Sequence, residues 1–171
     1  MRTIRFRGKD IKTGEWHEGY YAVHHVAEKD NHDILLGYRE IPSIFNDEEG
    51  ERSKGGYWHT IDPATLGQLL IYKDCHGKPI YEGDILRSDD YPFSDGKEKD
   101  NYLGVVFCTE DGSFEVMQFV TKQSERRGIS NFINRPFYDI NMDKVEVIGN
   151  IFDNKGLFRD SDEKIMEWYN S

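Results

Sequence analysis

The sequence predicts a mainly β fold, and two features of this 171-residue chain favour that class. Aromatic residues make up 13% of the chain, a high share beside 37% hydrophobic residues in all, and large rings suit half-buried pleated surfaces. Short segments of alternating apolar and polar residues are separated by turns rich in Gly, Asp and Asn. A chain of this length can bury a core without disulfides, so we expect residues 1–171 to form one domain.

Each strand is predicted from alternation or from a short apolar run between turn signals. The first has Ile4 and Phe6 on one face, and the second continues through Val26 before a polar break. The predicted strands lie at residues 3–7, 15–21, 34–36, 57–61, 66–72, 104–107, 114–119 and 144–148, with further extended segments at residues 79–81 and 82–87.

Turn signals connect these strands. Lys12-Thr13-Gly14 predicts a hairpin between the first two strands, and residues 110–113 predict a second hairpin. Residues 62–65 predict a turn. Residues 74–78 predict a tight loop in which Gly77 can take a positive φ.

Two polar segments and the C-terminal tail complete the predicted fold. Residues 46–56 contain no hydrophobic residue and residues 88–101 contain few, so both predict long surface loops. Asp160 stands three residues before Glu163, as in a capping box, and predicts a short C-terminal helix. Its apolar face would be formed by Ile165, Met166, Trp168 and Tyr169.

The charge balance restricts the class of partner. Thirty-two acidic and 22 basic residues give a formal net charge of -10, which repels a polyanion and disfavours non-specific nucleic-acid binding. Two local clusters of basic residues could be either binding patches or solvated faces of strands and loops. They comprise Arg2, Arg5, Arg7 and Lys9 at the start, and Arg126, Arg127 and Arg135 later.

The location predicted from the sequence is cytoplasmic. Residues 1–4 lack the apolar region of a signal peptide, and no stretch approaches the roughly 18 apolar residues of a membrane helix. Cys75 and Cys108 lie far apart in the chain, and we expect both to be free thiols in a reducing compartment. We expect Cys108 to be buried, since it follows an apolar run.

The sequence predicts no catalytic, cofactor-binding or metal-binding residue. Six histidines are present, but none matches a spacing such as C-x-x-C or H-x-x-x-H. His24 and His25 point to opposite faces of a strand. His32 could meet His25 across a hairpin, and Cys75-His76 is another local pair, yet neither forms a specific motif. The sequence contains no G-x-S-x-G and no P-loop.

Adjacent aromatic pairs are the strongest candidates for an interaction surface. In a strand, one member of such a pair faces outward unless a second layer covers it. Either a second small sheet packs over these rings, or they form a surface for a protein partner or for self-association. The pairs are Tyr20 and Tyr21, Tyr57 and Trp58, and Phe137 and Tyr138.

Three ordered blocks of sequence resemble the YopX-type family of phage and prophage proteins. The opening block is residues 4–9 with Trp16 and Gly19, the central blocks are residues 61–68 and 74–85, and the last is residues 146–154. The resemblance implies a phage or prophage origin and a mainly β fold that contains an SH3-like barrel, which we place at about residues 60–152 with a small additional sheet or hairpin. It implies no catalytic residue, because the family pattern carries none.

The physics of these blocks favours an architectural role. Gly, Asp and Asn bend the chain or bond to local backbone donors. The structural signature consists of Gly67, Gln68, Gly77, Gly83, Asp84, Gly149 and Asn150.

Three hypotheses for function follow. The first is a non-enzymatic protein-binding or scaffolding factor that acts in the bacterial host. The second is an accessory protein that binds single-stranded nucleic acid through aromatic rings and a basic groove. The third is a small metal-dependent hydrolase. We place the first ahead of the others because of the acidic charge, the surplus of aromatic residues and the absence of catalytic motifs.

Overall fold

A computed structural model describes residues 4–29, 31, 35–46, 57–88, 102–119, 133–157 and 169. Within them the protein is mainly β, with antiparallel strands and short 3₁₀ helices, so the predicted fold class is confirmed. The chain divides after Leu69 into two compact units, residues 1–69 and residues 70–171. The described part contains no helix long and apolar enough to cross a membrane.

The strands are bounded as follows. The first unit contains β1 (Phe6–Lys9), β2 (Trp16–Lys29), β3 (Leu35–Asn46) and β4 (Tyr57–Thr60). Strand β5 (Gly67–Lys73) begins in the first unit and ends in the second. The second unit continues with β6 (Pro79–Tyr81), β7 (Asp84–Ser88), β8 (Tyr102–Cys108), β9 (Phe114–Phe119), β10 (Ile133–Pro136) and β11 (Glu146–Asn150). The 3₁₀ helices are Pro63–Thr65, Phe137–Asp139, Met142–Lys144 and Lys155–Leu157.

In the first unit the strand order is β4-β3-β2-β1-β5. Strand β1 pairs with β2 on one side and with the start of β5 on the other, where Gln68 lies opposite Phe6 and Gly67 opposite Arg7. Gly19 permits the close packing of this sheet, because a Cβ at that position would lie 2.0 Å from the carbonyl oxygen of Phe45. The family resemblance at Gly19 thus has a steric reason.

The longest pairing of the first unit joins β2 to β3. It runs from Tyr20 opposite Phe45 to Lys29 opposite Leu35. The sequence predicted only residues 34–36 as a strand here, because Pro42 and the polar residues around it interrupt the apolar pattern. Pro42 lies at the end of the β3–β4 pairing, where its carbonyl still accepts from the N–H of Ile61 at 3.0 Å, so the ring removes at most one terminal hydrogen bond.

The end of β4 returns to the end of β1. An isolated bridge joins Asp10 to Ile61, and the N–H of Asp62 donates to the carbonyl of Lys9 at 2.8 Å. Gly8 leaves the space that this approach needs, since a Cβ there would lie 2.7 Å from Cδ1 of Ile61. The strands of the described residues do not close into a barrel, so the SH3-like barrel expected at residues 60–152 is not confirmed.

In the second unit, β5 continues beside β6, and a further sheet has the order β10-β9-β8-β7-β11. Residues that are adjacent along a strand of this sheet point to opposite faces and pack in different apolar clusters. Leu86 packs in one cluster and Ile85 in the other. The same holds for Val106 and Val105. Both faces are therefore covered, which explains why the sequence shows short continuous apolar runs instead of strict alternation.

Several sequence predictions fall on parts of the chain outside the described residues. The two polar segments do so except for Asn46, which ends β3, and Ser88, which ends β7. The C-terminal helix does so except for Tyr169, whose ring contacts Phe152. Strand β10 was not predicted from the sequence, and it pairs with β9.

Candidate functional site

One face of the first unit's sheet carries a row of aromatic side chains. Tyr20 on β2 lies opposite Phe45 on β3, and Phe45 lies opposite Trp58 on β4. Residues directly opposite in antiparallel strands share a face, so the three rings stand side by side. Tyr20 is 41% exposed and Trp58 is 50% exposed, whereas Phe45 between them is half-buried.

Basic side chains continue the same face on β1. Lys9 lies opposite Trp16 on β2, and the register places Arg7 and Arg5 on that face at alternate positions. The Arg7 guanidinium is 4.9 Å from the centre of the Trp16 ring, and the Lys9 ammonium is 5.5 Å from it. The Arg5 guanidinium is 6.0 Å from the centre of the Tyr20 ring. We call this surface the aromatic–basic face, defined by Arg5, Arg7, Lys9, Trp16, Tyr20, Phe45 and Trp58.

The rings on the aromatic–basic face are held in place by their neighbours. Phe45 and Trp58 have ring centres 5.0 Å apart and are tilted, and His24 meets Trp58 edge-on at 4.3 Å. Such edge and tilted contacts are favourable beyond the area they bury. Glu18 lies opposite Arg7 and offsets part of the positive charge. The exposed rings thus pack against neighbouring side chains of the same face.

The remaining members of the two pairs in the first unit lie on the other face of this sheet. Tyr21 is half-buried, and its ring centre is 5.7 Å from that of Phe6. Tyr57 is exposed and lies opposite Asn46. The structure therefore places Tyr20 and Trp58 on the same face of the sheet, and Tyr21 and Tyr57 on the opposite face.

The third aromatic pair belongs to the second unit. Phe137 is 4% exposed and stacks on Tyr72, with ring centres 4.9 Å apart, within an apolar cluster. Tyr138 is 82% exposed. Phe137 is thus a core residue in the second unit, and of this pair Tyr138 is the one open to solvent.

The turn around Gly83 shows how the central block of the sequence bends the chain. Asp84 is almost fully buried, and its Oδ2 accepts a hydrogen bond from the N–H of Tyr81 at 2.8 Å. Gly83 has a φ of 79°, and its N–H donates to the carbonyl of Val106 at 2.9 Å. The Asp84 carboxylate therefore bonds to the backbone of its own turn.

A second buried carboxylate, Asp74, organises the loop that contains Gly77. Its Oδ1 accepts from the N–H groups of His76 and Lys78, at 2.9 and 2.8 Å, and its Oδ2 accepts from the N–H of Val147 at 3.1 Å. Burial by itself would raise the pKa of Asp74, but the three backbone donors outweigh it and hold the pKa below its ordinary value. Gly77 takes a φ of 80° in this loop.

The last block of the resemblance forms the end of β11. The register shifts between Val147 and Gly149, and a Cβ at Gly149 would lie 2.3 Å from Oδ1 of Asn154. Asn150 Oδ1 accepts from the N–H groups of Phe152 and Asp153, at 3.0 and 2.9 Å. Gly149 does not adopt a left-handed φ, and what requires glycine there is the close approach of Asn154. Asn150 instead caps the turn that follows β11 by accepting these backbone hydrogen bonds.

Both cysteines are free and exposed, so the expectation that Cys108 is buried is wrong. Cys108 stands at the end of β8, where the chain enters a turn. The pKa of the Cys108 thiol is raised mainly by its partial burial and, to a smaller extent, by the negative charges of Glu82 and Asp111. A raised pKa lowers the thiolate fraction at neutral pH, which does not suit a nucleophile.

A cluster that the sequence analysis missed lies in the first unit. Asp10, His17 and His59 each offer a ligand atom, and among the described residues these atoms lie within 4.8 Å of one another. The residues are separated by seven and 42 positions, so no local spacing reveals them. The pairing of the end of β4 with the end of β1 brings them together.

Comparison with known proteins gives one family. Residues 5–159 match the family model described as YopX protein. The match extends over both compact units. No curated protein matches the chain.

Proposed function

Since the chain belongs to the YopX protein family, a phage-type family, we propose that it is a non-enzymatic binding protein of phage or prophage origin. It acts in the cytoplasm of the bacterial host, and its binding surface is the aromatic–basic face. Its occupant is a protein that presents acidic side chains.

The composition of the aromatic–basic face carries this proposal. Trp, Tyr and Arg are the residues that most often dominate the binding energy of protein interfaces. Here Trp16, Tyr20, Trp58 and two arginines share one face of one sheet. Three cations on a chain with a formal net charge of -10 favour a partner that is locally acidic.

The packing of these residues supports binding further. Arg7 and Lys9 already lie against the Trp16 ring, and Trp58 is held between His24 and Phe45. Side chains that are ordered before association lose less conformational entropy when the partner arrives. The face is thus suited to recognition.

A photo-crosslinking experiment tests the proposal. A photoreactive phenylalanine analogue replaces Tyr20 in one variant and Tyr138 in a matched control, because both are exposed tyrosines but only Tyr20 lies on the aromatic–basic face. We expect one protein to crosslink at position 20 in infected or lysogenic host cells, and Arg7→Glu to abolish that adduct. Equal crosslinking at both positions, or adducts with nucleic acid alone, would contradict the proposal.

One observation favours single-stranded nucleic acid as a second candidate. Arg7 and Lys9 on β1 and Arg5 just before it occupy alternate positions, about 7 Å apart, beside rings on which bases could stack. If three phosphates are neutralised, the logarithm of affinity falls with the logarithm of salt concentration at a slope of about −2. Fluorescence anisotropy with labelled single-stranded oligonucleotides measures that slope. No change in anisotropy at low ionic strength would eliminate this candidate.

A further inference from the structure

We propose that Asp10, His17 and His59 form a binding site for one divalent transition-metal ion, with zinc as the ion that fits best. The proposal is independent of the aromatic–basic face: these residues are held by the turn after β1, by β2 and by β4 of the first unit.

The two imidazole rings are already paired. His17 and His59 stack with ring centres 3.4 Å apart and an angle of 9° between the ring planes. Together with the Asp10 carboxylate, their ligand atoms lie within 4.8 Å of one another. Ligands of a tetrahedral zinc ion are about 3.3 Å apart, as the usual Zn–N and Zn–O lengths dictate. Because the lone pair of an imidazole nitrogen lies in the ring plane, two parallel rings 3.4 Å apart cannot both point at one ion, so binding requires His17 and His59 to rotate out of their stacked arrangement.

The backbone fixes the three strands relative to each other at this point. The N–H of Asp10 donates to the carbonyl of Glu15 at 2.9 Å, which closes the hairpin. The N–H of Ile11 donates to the carbonyl of Thr60 at 3.0 Å, and Asp10 bridges to Ile61. His59 is therefore placed by the same contacts that place Asp10, although the two lie far apart in the sequence.

The Asp10 carboxylate has the environment of a metal ligand. Its Oδ1 accepts from the N–H groups of Lys12 and Thr13, at 2.7 and 3.0 Å, which orients the carboxylate. These two bonds are the main reason that the pKa of Asp10 is lowered, and the nearby His17 and His59 lower it further. Second-shell bonds of this kind are typical of carboxylates that bind metals.

The ligand set decides the class of ion. Two imidazoles and one carboxylate suit zinc and its neighbours, whereas calcium and magnesium take sets made up of oxygen ligands. Three protein ligands leave a fourth position for water or for a partner's side chain. An ion here would tie the β1–β2 hairpin to β4.

Zinc titration of the full chain, stripped with a chelator, tests the site. A chromophoric zinc chelator serves as competitor and reports both stoichiometry and affinity. We expect one zinc ion per chain, with affinity reduced at least about 100-fold in His17→Ala, His59→Gln and Asp10→Asn, since losing a ligand exceeds the usual effect of losing a second-shell partner. Asp10→Asn keeps an oxygen that can accept from Lys12 and Thr13, so the turn is retained.

Matched controls come from histidines outside the cluster. His25 is exposed on β2, and His76 is exposed in the second unit. His25→Ala and His76→Ala should bind zinc as the unaltered chain does. The proposal is overturned if the stripped chain binds no zinc, or if either control loses as much affinity as His17→Ala.

Cobalt substitution distinguishes this site from the free thiols. We expect the absorption bands of tetrahedral cobalt with nitrogen and oxygen ligands. Cys75 and Cys108 are exposed and could bind metal instead. A thiolate-to-cobalt charge-transfer band, or loss of binding in Cys75→Ala, would overturn the assignment to Asp10, His17 and His59.

Discussion

The two compact units use their polar and aromatic side chains in different ways. In the second unit, buried Asp74 and Asp84 bond to backbone N–H groups, and Phe137 packs in an apolar cluster. In the first unit, Tyr20 and Trp58 remain exposed on a sheet face beside three cations. The second unit therefore packs its rings and carboxylates into a core, whereas the first leaves large rings at its surface.

The distribution of buried apolar residues supports this distinction. Among the described residues of the first unit, the buried hydrophobic side chains are Ile44 and Ile61. The described part of the second unit contains two clusters that cover both faces of its sheet. Burial of apolar area is the main source of folding free energy, so stability and binding should respond to substitutions in different units.

The largest expected difference concerns large-to-small substitutions. Leu86 is fully buried, so Leu86→Ala should lower the free energy of unfolding by about 3 kcal/mol through lost burial and a cavity. Trp58→Ala, at a half-exposed position, should lower it by about 1 kcal/mol or less and weaken binding instead. Urea unfolding followed by circular dichroism measures the free energy of unfolding of both variants. A greater loss for Trp58→Ala than for Leu86→Ala would contradict the distinction.

Asp74 is expected to have the next largest effect. Asp74→Ala leaves the N–H of Val147 without its acceptor, which should lower the free energy of unfolding by about 2 kcal/mol. Because the pKa of Asp74 is lowered in the folded state, its ionised form stabilises the fold above the ordinary Asp pKa. That contribution is lost as pH falls through the folded-state pKa, below 3.8.

Unfolding measured from pH 6 to pH 3 checks the Asp74 prediction. Stability of the unaltered chain should decline more steeply on acidification than that of Asp74→Asn. Identical pH profiles would mean that the backbone bonds to Asp74 do not stabilise the ionised form.

Glycines in the two units offer a smaller contrast at similar backbone angles. Gly83 has a φ of 79°, and a Cβ there would lie 3.0 Å from the Phe152 ring. Gly14 has a φ of 71° with no atom within 4 Å of such a Cβ. Gly14→Ala should therefore cost the backbone strain alone, about 1 kcal/mol, and Gly83→Ala about 2 kcal/mol because of the ring as well. Equal losses in thermal unfolding would show that Phe152 yields at no cost.

Local patterns predicted most of the strands and turns but did not reveal which residues come together at the candidate sites. Alternation and turn residues indicated most strands, and the hairpin turn at Gly14 and the loop at Gly77 lie where the sequence placed them. Strand β3 was largely missed because Pro42 breaks its pattern. Whether a proline can be accommodated in a strand depends on which hydrogen bonds the neighbouring strands form at that position, and that is set by the register of the folded sheet. Local periodicity carries no information of that kind.

The candidate sites depend on pairing between distant strands. The alternation of β1 indicates that Arg5 and Arg7 share a face, but the rings they meet are set by the register with β2. Asp10 and His59 are 49 positions apart and meet because β4 returns to β1. A search for short metal-binding spacings overlooks such a cluster.

The smallest expected effect is a difference in pairwise coupling energy between an arginine of the first unit and an arginine of the second. Arg7 lies over the half-buried Trp16 ring, and a double-mutant cycle with Arg7→Gln and Trp16→Leu should give a coupling of about 0.5–1 kcal/mol. In the second unit, Arg87 pairs with Glu146 at a largely solvated position, where a coupling of about 0.5 kcal/mol is expected from the corresponding cycle. Raising salt to about 1 M shortens the Debye length to about 3 Å and should remove most of the Arg87–Glu146 coupling but leave most of the Arg7–Trp16 coupling. If both couplings fell alike, Arg7 would be an ordinary solvated charge and the aromatic–basic face would lose the pre-organisation on which its proposed role in binding depends.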